Sequence, residues 1–275
     1  MDFRGKKVAI TGGNSGIGRA AALQLARGGA SVAILARDQG RLDAVVAELK
    51  AAGGPQATFL GVSVDVKDDA SVEAAARAVL AGLGGLDLLV CNAGYAQAAS
   101  VSAQPMSAFV DLMETNYLGH VRVVKAFLPH FKAQRSGAIS LVTSMLGFMS
   151  FYGYAAYSGS KFAIVGFAEA LRQELLPYGV TVGVFYPPTT DTPGLATENE
   201  TKPELSWKIE GTSRKFTSEQ VASSLLAGVA AGRFTNMIGA DSWVIFYLSR
   251  WMPGLVRWVL DREVHAWVRG RSPEI

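Results

Sequence analysis

The stretch Lys7-Val8-Ala9-Ile10-Thr11-Gly12-Gly13-Asn14-Ser15-Gly16-Ile17-Gly18 decides how this chain folds. A short apolar run of strand type comes first, a glycine-rich turn follows, and residues 19–26 have the composition of a helix. This order is typical of a dinucleotide site, because the N–H groups and the positive dipole end of the helix face the pyrophosphate. Gly12 permits the tight turn, Gly16 lets the backbone approach the phosphates, and Gly18 lets the helix pack closely on the strand.

Outside this stretch, short apolar runs alternate with segments rich in helix-forming residues. We predict strands at 7–11, 31–36, 57–64, 86–91, 138–143 and 180–185, and helices at 16–27, 39–52, 69–81, 106–135 and 154–178. A helix at 218–231 and a short strand at 234–238 follow. The alternation predicts an α/β fold of the Rossmann type, a doubly wound parallel sheet flanked by helices. Ligands of such sheets bind beyond the carboxyl ends of the strands, so side chains that follow strand ends should converge on one crevice.

Tyr157 and Lys161 are four residues apart in a predicted helix, which places them on one face, one turn apart. An ammonium beside a phenol favours the phenolate, so we expect Lys161 to lower the pKa of Tyr157 from about 10. Such a tyrosine can exchange a proton near neutral pH, as the reduction of a carbonyl requires. Taken alone, the spacing also fits a tyrosine packed on a lysine stem.

The glycine turn, the Tyr157–Lys161 pair and the polar residues between them resemble the short-chain dehydrogenase/reductase family over nearly the whole chain. The resemblance implies that Asn116, Ser144, Tyr157 and Lys161 are catalytic. In this scheme a hydride passes from a nicotinamide to a ketone, Tyr157 donates the proton and Ser144 positions the carbonyl. Lys161 depresses the pKa of Tyr157 and binds the ribose, and Asn116 holds a water that links Lys161 to solvent.

The same resemblance implies a cofactor site along the strand ends. Asp65 and Val66 would contact the adenine, Asn92 would hold the central strand and the cofactor, and Thr192 would bind the nicotinamide carboxamide. The full set of implied cofactor-binding residues is Gly12, Asn14, Ser15, Gly16, Ile17, Gly18, Arg37, Asp65, Val66, Asn92, Ala93, Gly94, Tyr157, Lys161, Pro187, Thr190 and Thr192.

Arg37 follows the predicted second strand, where a site that selects NAD usually has an acid for the ribose hydroxyls. An arginine there accommodates the 2′-phosphate of NADP and can bind it with two parallel hydrogen bonds. Asp38 comes one position too late for the usual acid. The sequence therefore predicts NADP(H), with a solvated arginine at the start of a loop as the alternative.

The run from Tyr186 to Gly194 has Pro187-Pro188 where most of the family has Pro-Gly. It resembles the subgroup that reduces 3-ketodihydrosphingosine, a long-chain amino ketone of sphingolipid biosynthesis, although Thr189 departs from that subgroup's usual Pro-Pro-Asp-Thr-Asp pattern. A substrate lid is expected at about 188–215. Its acids Glu198, Glu200 and Glu204 could attract the substrate ammonium, with Lys202 opposing them, or they could simply face solvent.

Two other functions fit the same residues. The chain could be an NADP(H)-dependent reductase or dehydrogenase of another lipophilic ketone or alcohol, such as a steroid or a fatty ketone. It could also be a non-catalytic NADP-binding protein docked on a membrane, although the complete catalytic set argues against this. The apolar residues at 145–152 could line a pocket for an acyl chain, or form core or an oligomer face.

Bulk properties bound the remaining possibilities. The 275 residues are 49% hydrophobic, enough for one large core, and we expect a catalytic domain at 1–240 and a helical tail at 241–275. One cysteine excludes an internal disulfide and fits a reducing, cytoplasmic compartment. Three scattered histidines give no metal site, a net charge of +3 is too small to indicate nucleic acid, and we expect no signal peptide or N-terminal anchor. By family resemblance we expect a homo-oligomer.

The tail is rich in tryptophan and arginine. Four of the five tryptophans lie there, and five arginines fall between Arg250 and Arg271, against Asp261 and Glu263. No apolar run in the tail approaches the roughly 20 residues that span a bilayer. Tryptophan with arginine is typical of a segment that lies on a membrane, so peripheral membrane contact is one interpretation. Packing on the protein itself or on a partner subunit is the other.

Overall fold

A parallel sheet forms the centre of the computed structural model, which describes residues 1–211 and 213–269. Within those residues the strands are β1 (Lys7–Thr11), β2 (Ser31–Ala36), β3 (Phe59–Ser63), β4 (Leu88–Cys91), β5 (Gly137–Val142), β6 (Val180–Tyr186), β7 (Thr190–Asp191), β8 (Phe216–Thr217) and β9 (Thr235–Met237). The main sheet has the order β3-β2-β1-β4-β5-β6-β9, and β7 pairs with β8 separately. The strand order reverses between β1 and β4, which is where such sheets bind their ligands.

Helices cover both faces of the sheet. They are α1 (Gly16–Arg27), α2 (Gln39–Ala52), α3 (Asp69–Leu83), α4 (Met106–Met113), α5 (Gly119–Gln134), α6 (Ala155–Leu175), α7 (Pro193–Asn199), α8 (Glu204–Glu210), α9 (Ser218–Ala230), α10 (Ala240–Trp251) and α11 (Pro253–Val268). A π-helical turn, Glu114–Leu118, joins α4 to α5, and 3-10 turns lie at Met145–Gly147 and Leu176–Tyr178.

The two faces of the sheet bury separate cores. Val8 and Ile10 of β1 pack with apolar residues of α1, α2 and α9 on one face. Ala9, between them in sequence, belongs to the opposite core, which α3, α5 and α6 complete. Because successive strand residues point to opposite faces, a strand covered on both sides is apolar through its middle, as residues 8–10 of β1 and all of β4 are. The predicted doubly wound α/β fold is confirmed.

The structure differs from the predicted elements in the helix expected at 106–135. That segment is interrupted by the π-helical turn at Glu114–Leu118, which its helix-forming composition did not indicate. The predicted lid contains β7, α7 and α8, and the predicted tail contains α10 and α11. Thr212 of the lid and residues 270–275 of the tail lie outside the described residues. Throughout 1–211 and 213–269, the helices lack the length or the hydropathy to cross a membrane.

Candidate active site

A crevice of about 1460 Å³ lies at the carboxyl ends of the central strands. Nearly all of the residues predicted for the cofactor and the reaction line it. They are Gly12, Asn14, Ser15, Gly16, Ile17, Arg37, Asp65, Val66, Asn92, Ala93, Gly94, Ser144, Tyr157, Lys161, Pro187, Thr190 and Thr192. Gly18 and Asn116 do not line the crevice but lie directly behind its wall. The structure thus brings together residues that are up to 180 positions apart in sequence, from Gly12 to Thr192.

The glycine turn has the conformation and the clearance that a bound pyrophosphate needs. Gly12 has a φ of +67°, and a Cβ there would come within 2.9 Å of Asn92 Nδ2. A Cβ at Gly18 would come within 2.3 Å of the Gly12 carbonyl oxygen, so α1 can approach β1 only with glycine at that position. The Ser15 side chain makes no capping bond to α1, which leaves the first N–H groups of the helix available to an anion. These features fit a dinucleotide.

Asn92 ties the central strand β4 to this turn. Its backbone N–H donates to Thr11 Oγ1 at 2.9 Å, and its side-chain Nδ2 donates to the Thr11 carbonyl at 3.1 Å. The Ala93 N–H donates to the same threonine hydroxyl at 3.0 Å. Asn92 therefore holds the floor of the crevice in place.

Arg37 is exposed at the far end of the crevice, just beyond β2. Asp38 is engaged elsewhere: its carboxylate caps α2 by accepting from the Arg41 N–H at 3.0 Å, and it lies 3.4 Å from the Arg41 guanidinium. Arg41 also lines the crevice, and sequence reasoning missed it. Its position in the first turn of the helix predicted at 39–52, directly after the loop that carries Arg37, is the signal that could have found it.

Asp65 and Val66 line the same crevice as Arg37, and their contact with an adenine stays a prediction. Three further polar side chains of this region, Lys67, Tyr95 and Asp111, were not foreseen. Asp111 accepts hydrogen bonds from the Tyr95 hydroxyl and from Lys67 Nζ, the latter at 2.9 Å. Burial, the hydrogen bond to Asp111 and its charge together raise the pKa of Tyr95 well above its ordinary value.

Ser144, Tyr157 and Lys161 meet at the opposite end of the crevice. Ser144 follows β5, and its hydroxyl is hydrogen-bonded to that of Tyr157. Tyr157 and Lys161 lie on α6, with Lys161 Nζ 5.6 Å from the centre of the Tyr157 ring. Lys161 is buried, and its Nζ donates to the Val142 carbonyl at 3.3 Å. The strand end and the helix thus place a hydroxyl, a phenol and an amine around one point.

The pKa values of this group differ from the expectation. Burial raises the pKa of Tyr157 well above its ordinary value, and the Ser144 hydrogen bond only partly opposes this. Burial also lowers the pKa of Lys161 to about 7. An amine with that pKa is only partly charged at neutral pH, so it exerts little pull on the phenol. The predicted lowering of the Tyr157 pKa by Lys161 is therefore wrong for this structure, and Tyr157 keeps its proton.

Asn116 lies in the π-helical turn rather than on a helix surface. It is fully buried, its Nδ2 donates to the Tyr95 carbonyl and to Ser160 Oγ, each at 3.0 Å, and its Oδ1 accepts from the Tyr95 N–H at 3.0 Å. A Cβ at Gly94 would lie 2.7 Å from Asn116 Oδ1 and 3.4 Å from Lys161 Nζ. Asn116 is thus immediately behind the lysine.

The Pro187–Thr192 segment forms the lip of the crevice above β6. Thr192 Oγ1 accepts from the Leu195 N–H at 3.1 Å and so caps α7, which begins at Pro193. Thr190 Oγ1 donates to the Pro188 carbonyl at 2.7 Å. Both predicted threonines therefore face the crevice with hydroxyls already engaged in local hydrogen bonds.

Of the three acids predicted to take part in the lid, one lines the crevice. Glu198 lines the crevice, whereas Glu200 and Glu204 are exposed and do not line it. Glu210, which sequence reasoning missed, takes a place beside Glu198. Lys202 lies between these two carboxylates, at 3.0 Å from Glu198 and 2.5 Å from Glu210.

The tail contributes to the crevice as well. In α10, Phe246 packs edge-on against Phe148 with ring centres 5.1 Å apart, and Trp243 also contacts the core. Apolar residues of both tail helices line the substrate end of the crevice, namely Ile245, Leu248, Leu255, Val256, Val259 and Leu260. In α11 no residue is buried, and Trp258 is 54% exposed. Thus α10 packs on the protein itself, while α11 keeps an open apolar surface.

Comparison with known proteins agrees with this geometry. A family model described as short chain dehydrogenase matches residues 6–203. A 3-dehydrosphinganine reductase from Danio rerio is 39% identical over 251 residues, which cover 90% of this chain and 76% of that protein. A 3-ketodihydrosphingosine reductase from Bos taurus is 38% identical over 247 residues, covering 89% and 74%.

Solved structures show the same architecture. A short chain dehydrogenase/reductase from Burkholderia phymatum, crystallised in complex with NAD, superposes with a TM-score of 0.81 at 26% identity, covering 93% of this chain and 96% of the other. Levodione reductase superposes with a TM-score of 0.79 at 23% identity, covering 87% and 98%, and shows the fold alone.

Proposed function

Because the chain belongs to the short-chain dehydrogenase family, whose members are oxidoreductases, we propose that it reduces 3-ketodihydrosphingosine to dihydrosphingosine with NADPH in sphingolipid biosynthesis. The observation that carries the proposal is the meeting of Ser144, Tyr157 and Lys161 at an apolar end of the crevice, opposite the glycine turn and Arg37. The names of the relatives from Danio rerio and Bos taurus support the choice of substrate.

NADP(H) would lie between the glycine turn and Thr192, and when bound it supplies the hydride that reaches the ketone carbon. The N–H groups at the start of α1 would hold the pyrophosphate, and Arg37 would hold the 2′-phosphate. Asp38 also lines the crevice, but its two carboxylate oxygens contact the Arg41 N–H and the Arg41 guanidinium. These contacts support NADP over NAD, because they engage the acid nearest to the ribose hydroxyls.

Tyr157 acts as the proton donor. Since burial keeps its phenol protonated, Tyr157 can give its O–H proton to the ketone oxygen as negative charge develops there. Ser144 donates a hydrogen bond to the same oxygen and stabilises that charge. Lys161 binds the ribose and, through a water next to Asn116, returns a proton to Tyr157 after each turnover.

The apolar part of the crevice suits a long alkyl chain. Residues that follow the catalytic serine, including Met145, Leu146 and Met149, line it from one side. Ile245 and Leu248 of α10 and Val259 of α11 line it from the other. Apolar walls with few polar groups are what a lipophilic ligand requires, and the polar groups present cluster around Tyr157.

The test is NADPH oxidation by the purified protein with 3-ketodihydrosphingosine, beside a long-chain ketone without an amine and a steroid ketone. We expect the amino ketone to have the highest kcat/KM, and Tyr157→Phe to abolish turnover while NADPH still binds. Equal kcat/KM on ketones that lack the amine would indicate that the protein is a general reductase of lipophilic ketones. Tight NADPH binding with no oxidation by any ketone would favour a non-catalytic protein.

We also propose that α11 lies on the cytoplasmic face of a membrane and that the enzyme takes its lipid substrate from there. Trp251, the last residue of α10, is 80% exposed next to the start of α11. Within α11, Trp258 is 54% exposed, and the Arg262 guanidinium lies 4.9 Å from the centre of its ring. Exposed tryptophan beside arginine fits the interface of an anionic bilayer.

Flotation with phosphatidylglycerol-containing liposomes tests this docking. We expect the wild type to float and Trp251→Ser/Trp258→Ser to remain in the dense fraction. The matched control is Trp207→Ser, which changes an exposed tryptophan of α8 outside the tail. Equal flotation of the wild type and the double variant would contradict the proposal.

A further inference from the structure

Two carboxylates and one ammonium form a partly buried cluster at the substrate end of the crevice. Lys202 has a fully buried side chain and lies within ion-pair distance of both Glu198 and Glu210. Tyr154 donates a hydrogen bond to Glu198, and Thr189 Oγ1 donates to Glu210 Oε1 at 3.0 Å. We call Glu198, Lys202 and Glu210 the lid cluster. Its two glutamates line the crevice, whereas its lysine lies behind them.

The lid cluster has one negative charge left over. Lys202 balances the charge of one of the two carboxylates. Tyr154 contributes no charge, because burial and the nearby glutamates raise its pKa far above its ordinary value. Two other cations line the crevice on this side. Lys208 pairs with Glu263 of α11 at 3.4 Å. The Arg214 guanidinium lies 4.8 Å from the centre of the Phe216 ring, and Asp241, which also lines the crevice and lies beside the same ring, supplies the opposite charge. A partly buried net charge favours an ion of opposite sign in the space that it faces.

The lid cluster also lies next to the reacting phenol. The rings of Tyr154 and Tyr157 are 6.1 Å apart between centres, and the charges of Glu198 and Glu210 both act to raise the pKa of Tyr157. In an α-amino ketone the amine nitrogen lies about 2.5 Å from the ketone carbon, as set by ordinary bond lengths and angles. A ketone oxygen held at Tyr157 therefore brings its ammonium to the same side of the crevice as a carboxylate pair of matching charge.

Thr189, the residue at which this chain departs from the Pro-Pro-Asp-Thr-Asp pattern, contacts the lid cluster. At this position, where the resembling subgroup has an aspartate, the threonine hydroxyl holds the Glu210 carboxylate instead. The acid missing from position 189 is thus replaced by one that comes from α8. Lys202, which the sequence suggested would oppose the acids of the lid, holds the two carboxylates in place.

We infer that Glu198 and Glu210 recognise the ammonium of an α-amino ketone and set the specificity of the enzyme, with Lys202 and Thr189 as positioning residues. This inference rests on the proposed function, since the recognised group is the amine of that substrate. The carboxylates act by binding the cation through charge-assisted hydrogen bonds, and Tyr157 remains the group that transfers the proton.

The experiment compares two substrates across matched variants. kcat/KM is measured with 3-ketodihydrosphingosine and with its analogue in which hydrogen replaces the amine, using Glu198→Gln, Glu210→Gln and the double variant. Glutamine keeps the size and the hydrogen-bonding capacity and removes the charge. Glu200→Gln is the control, because Glu200 is on the same lid but exposed and outside the crevice.

We expect Glu210→Gln and Glu198→Gln each to lower kcat/KM for the amino ketone at least tenfold, mainly through KM, and to leave the amine-free analogue within about twofold, since one lost charge-assisted hydrogen bond costs roughly 1.5–3 kcal/mol. Equal losses on both substrates would show that the pair only holds the lid and would overturn the inference. If Glu210→Gln does not fold, Thr189→Val removes one hydrogen bond to Glu210 and should give a smaller loss of the same selectivity.

The controls separate this inference from the proposed function. A wild-type enzyme that does not prefer the amino ketone refutes the proposed substrate, whatever the variants do. A wild-type enzyme that prefers the amino ketone, with Glu198→Gln/Glu210→Gln keeping the whole preference, refutes the role of the lid cluster alone.

Discussion

At the scale of single residues, burial controls the chemistry of the site more than neighbouring charge does. Tyr157 and Lys161 are each shifted toward the neutral form, one upward and the other downward in pKa. A neutral phenol is a proton donor, which supports the proposal that Tyr157 acts as an acid in the reductive direction. His120 shows the same effect, since burial lowers its pKa to about 3 and keeps it uncharged behind Lys161.

The lowered pKa of Lys161 predicts how the free energy of unfolding depends on pH. Between pH 7 and about 10, the unfolded chain carries a proton on this lysine that the folded protein has lost, so its contribution to the free energy of unfolding rises with pH. We expect Lys161→Met to reduce the slope of that free energy against pH by up to about 1.4 kcal/mol per pH unit in this window. Urea unfolding at several pH values, without added nucleotide, measures the slope, and parallel curves would contradict the shift.

Arg37 is the residue on which we expect the preference for NADPH over NADH to depend. Removing a charged hydrogen-bond donor to a phosphate costs roughly 1.5–3 kcal/mol, which corresponds to a roughly 10- to 150-fold loss. We expect Arg37→Ser to lower kcat/KM for NADPH by that factor and to change kcat/KM for NADH little. Steady-state kinetics with both nucleotides measures the ratio, with Arg27→Ser as the control, since Arg27 ends α1 outside the crevice. An equal loss with both nucleotides would place Arg37 away from the 2′-phosphate.

At the scale of elements, the π-helical turn and the tail decide the shape of the site. The turn directs Asn116 inward, next to Gly94 and Lys161, which a regular helix over the same residues would not predict. In the tail, α10 is held by rings, since Phe246 contacts Phe148 and Tyr186 at 5.1 and 5.9 Å between centres. α11 is linked to the lid by the exposed ion pair of Glu263 with Lys208.

These two attachments of the tail should differ in strength. An exposed ion pair contributes at most about 1 kcal/mol, whereas loss of a packed phenyl ring costs roughly 2–4 kcal/mol where it is partly exposed. We therefore expect Phe246→Ala to lower the free energy of unfolding by roughly 2–4 kcal/mol. Glu263→Gln should change it by less than about 1 kcal/mol. Chemical denaturation measures both, and a larger effect of Glu263→Gln would mean that the ion pair, rather than the rings, holds the tail.

At the scale of the whole molecule, exposed apolar side chains lie on two neighbouring helices. α4 and α6 lie side by side and expose Met106, Val110 and Phe162. Large apolar groups clustered on a surface are typical of a subunit interface, and we propose that these two helices pair with those of a second copy. We expect light scattering to give a multiple of 29.1 kDa for the wild type and a smaller assembly for Phe162→Glu. A monomeric wild type would refute the proposal.

The sequence predicted the order of strands and helices because each β–α unit has its own local pattern. It predicted most of the residues that meet in the crevice because they follow strand ends. It did not predict Glu210 or Arg41, whose positions depend on how a lid and a helix pack in three dimensions. It also predicted the wrong direction for the pKa of Tyr157, since spacing shows the distance to a charge and not the depth of burial. The residues missed are therefore those placed by tertiary packing.

The last two helices, α10 and α11, determine what a protein truncated before them could still bind. The glycine turn, Ser144, Tyr157 and Lys161 all precede α10, whereas Ile245, Leu248 and Val259 form a wall of the crevice. A stop codon after Gly239 would leave every group of the proposed reaction encoded and would remove the apolar wall that we propose for the lipid chain. Such a product would resemble a nucleotide-binding protein without a substrate, so selectivity for the lipid can be lost or altered at the end of the coding sequence while the reaction centre is unchanged.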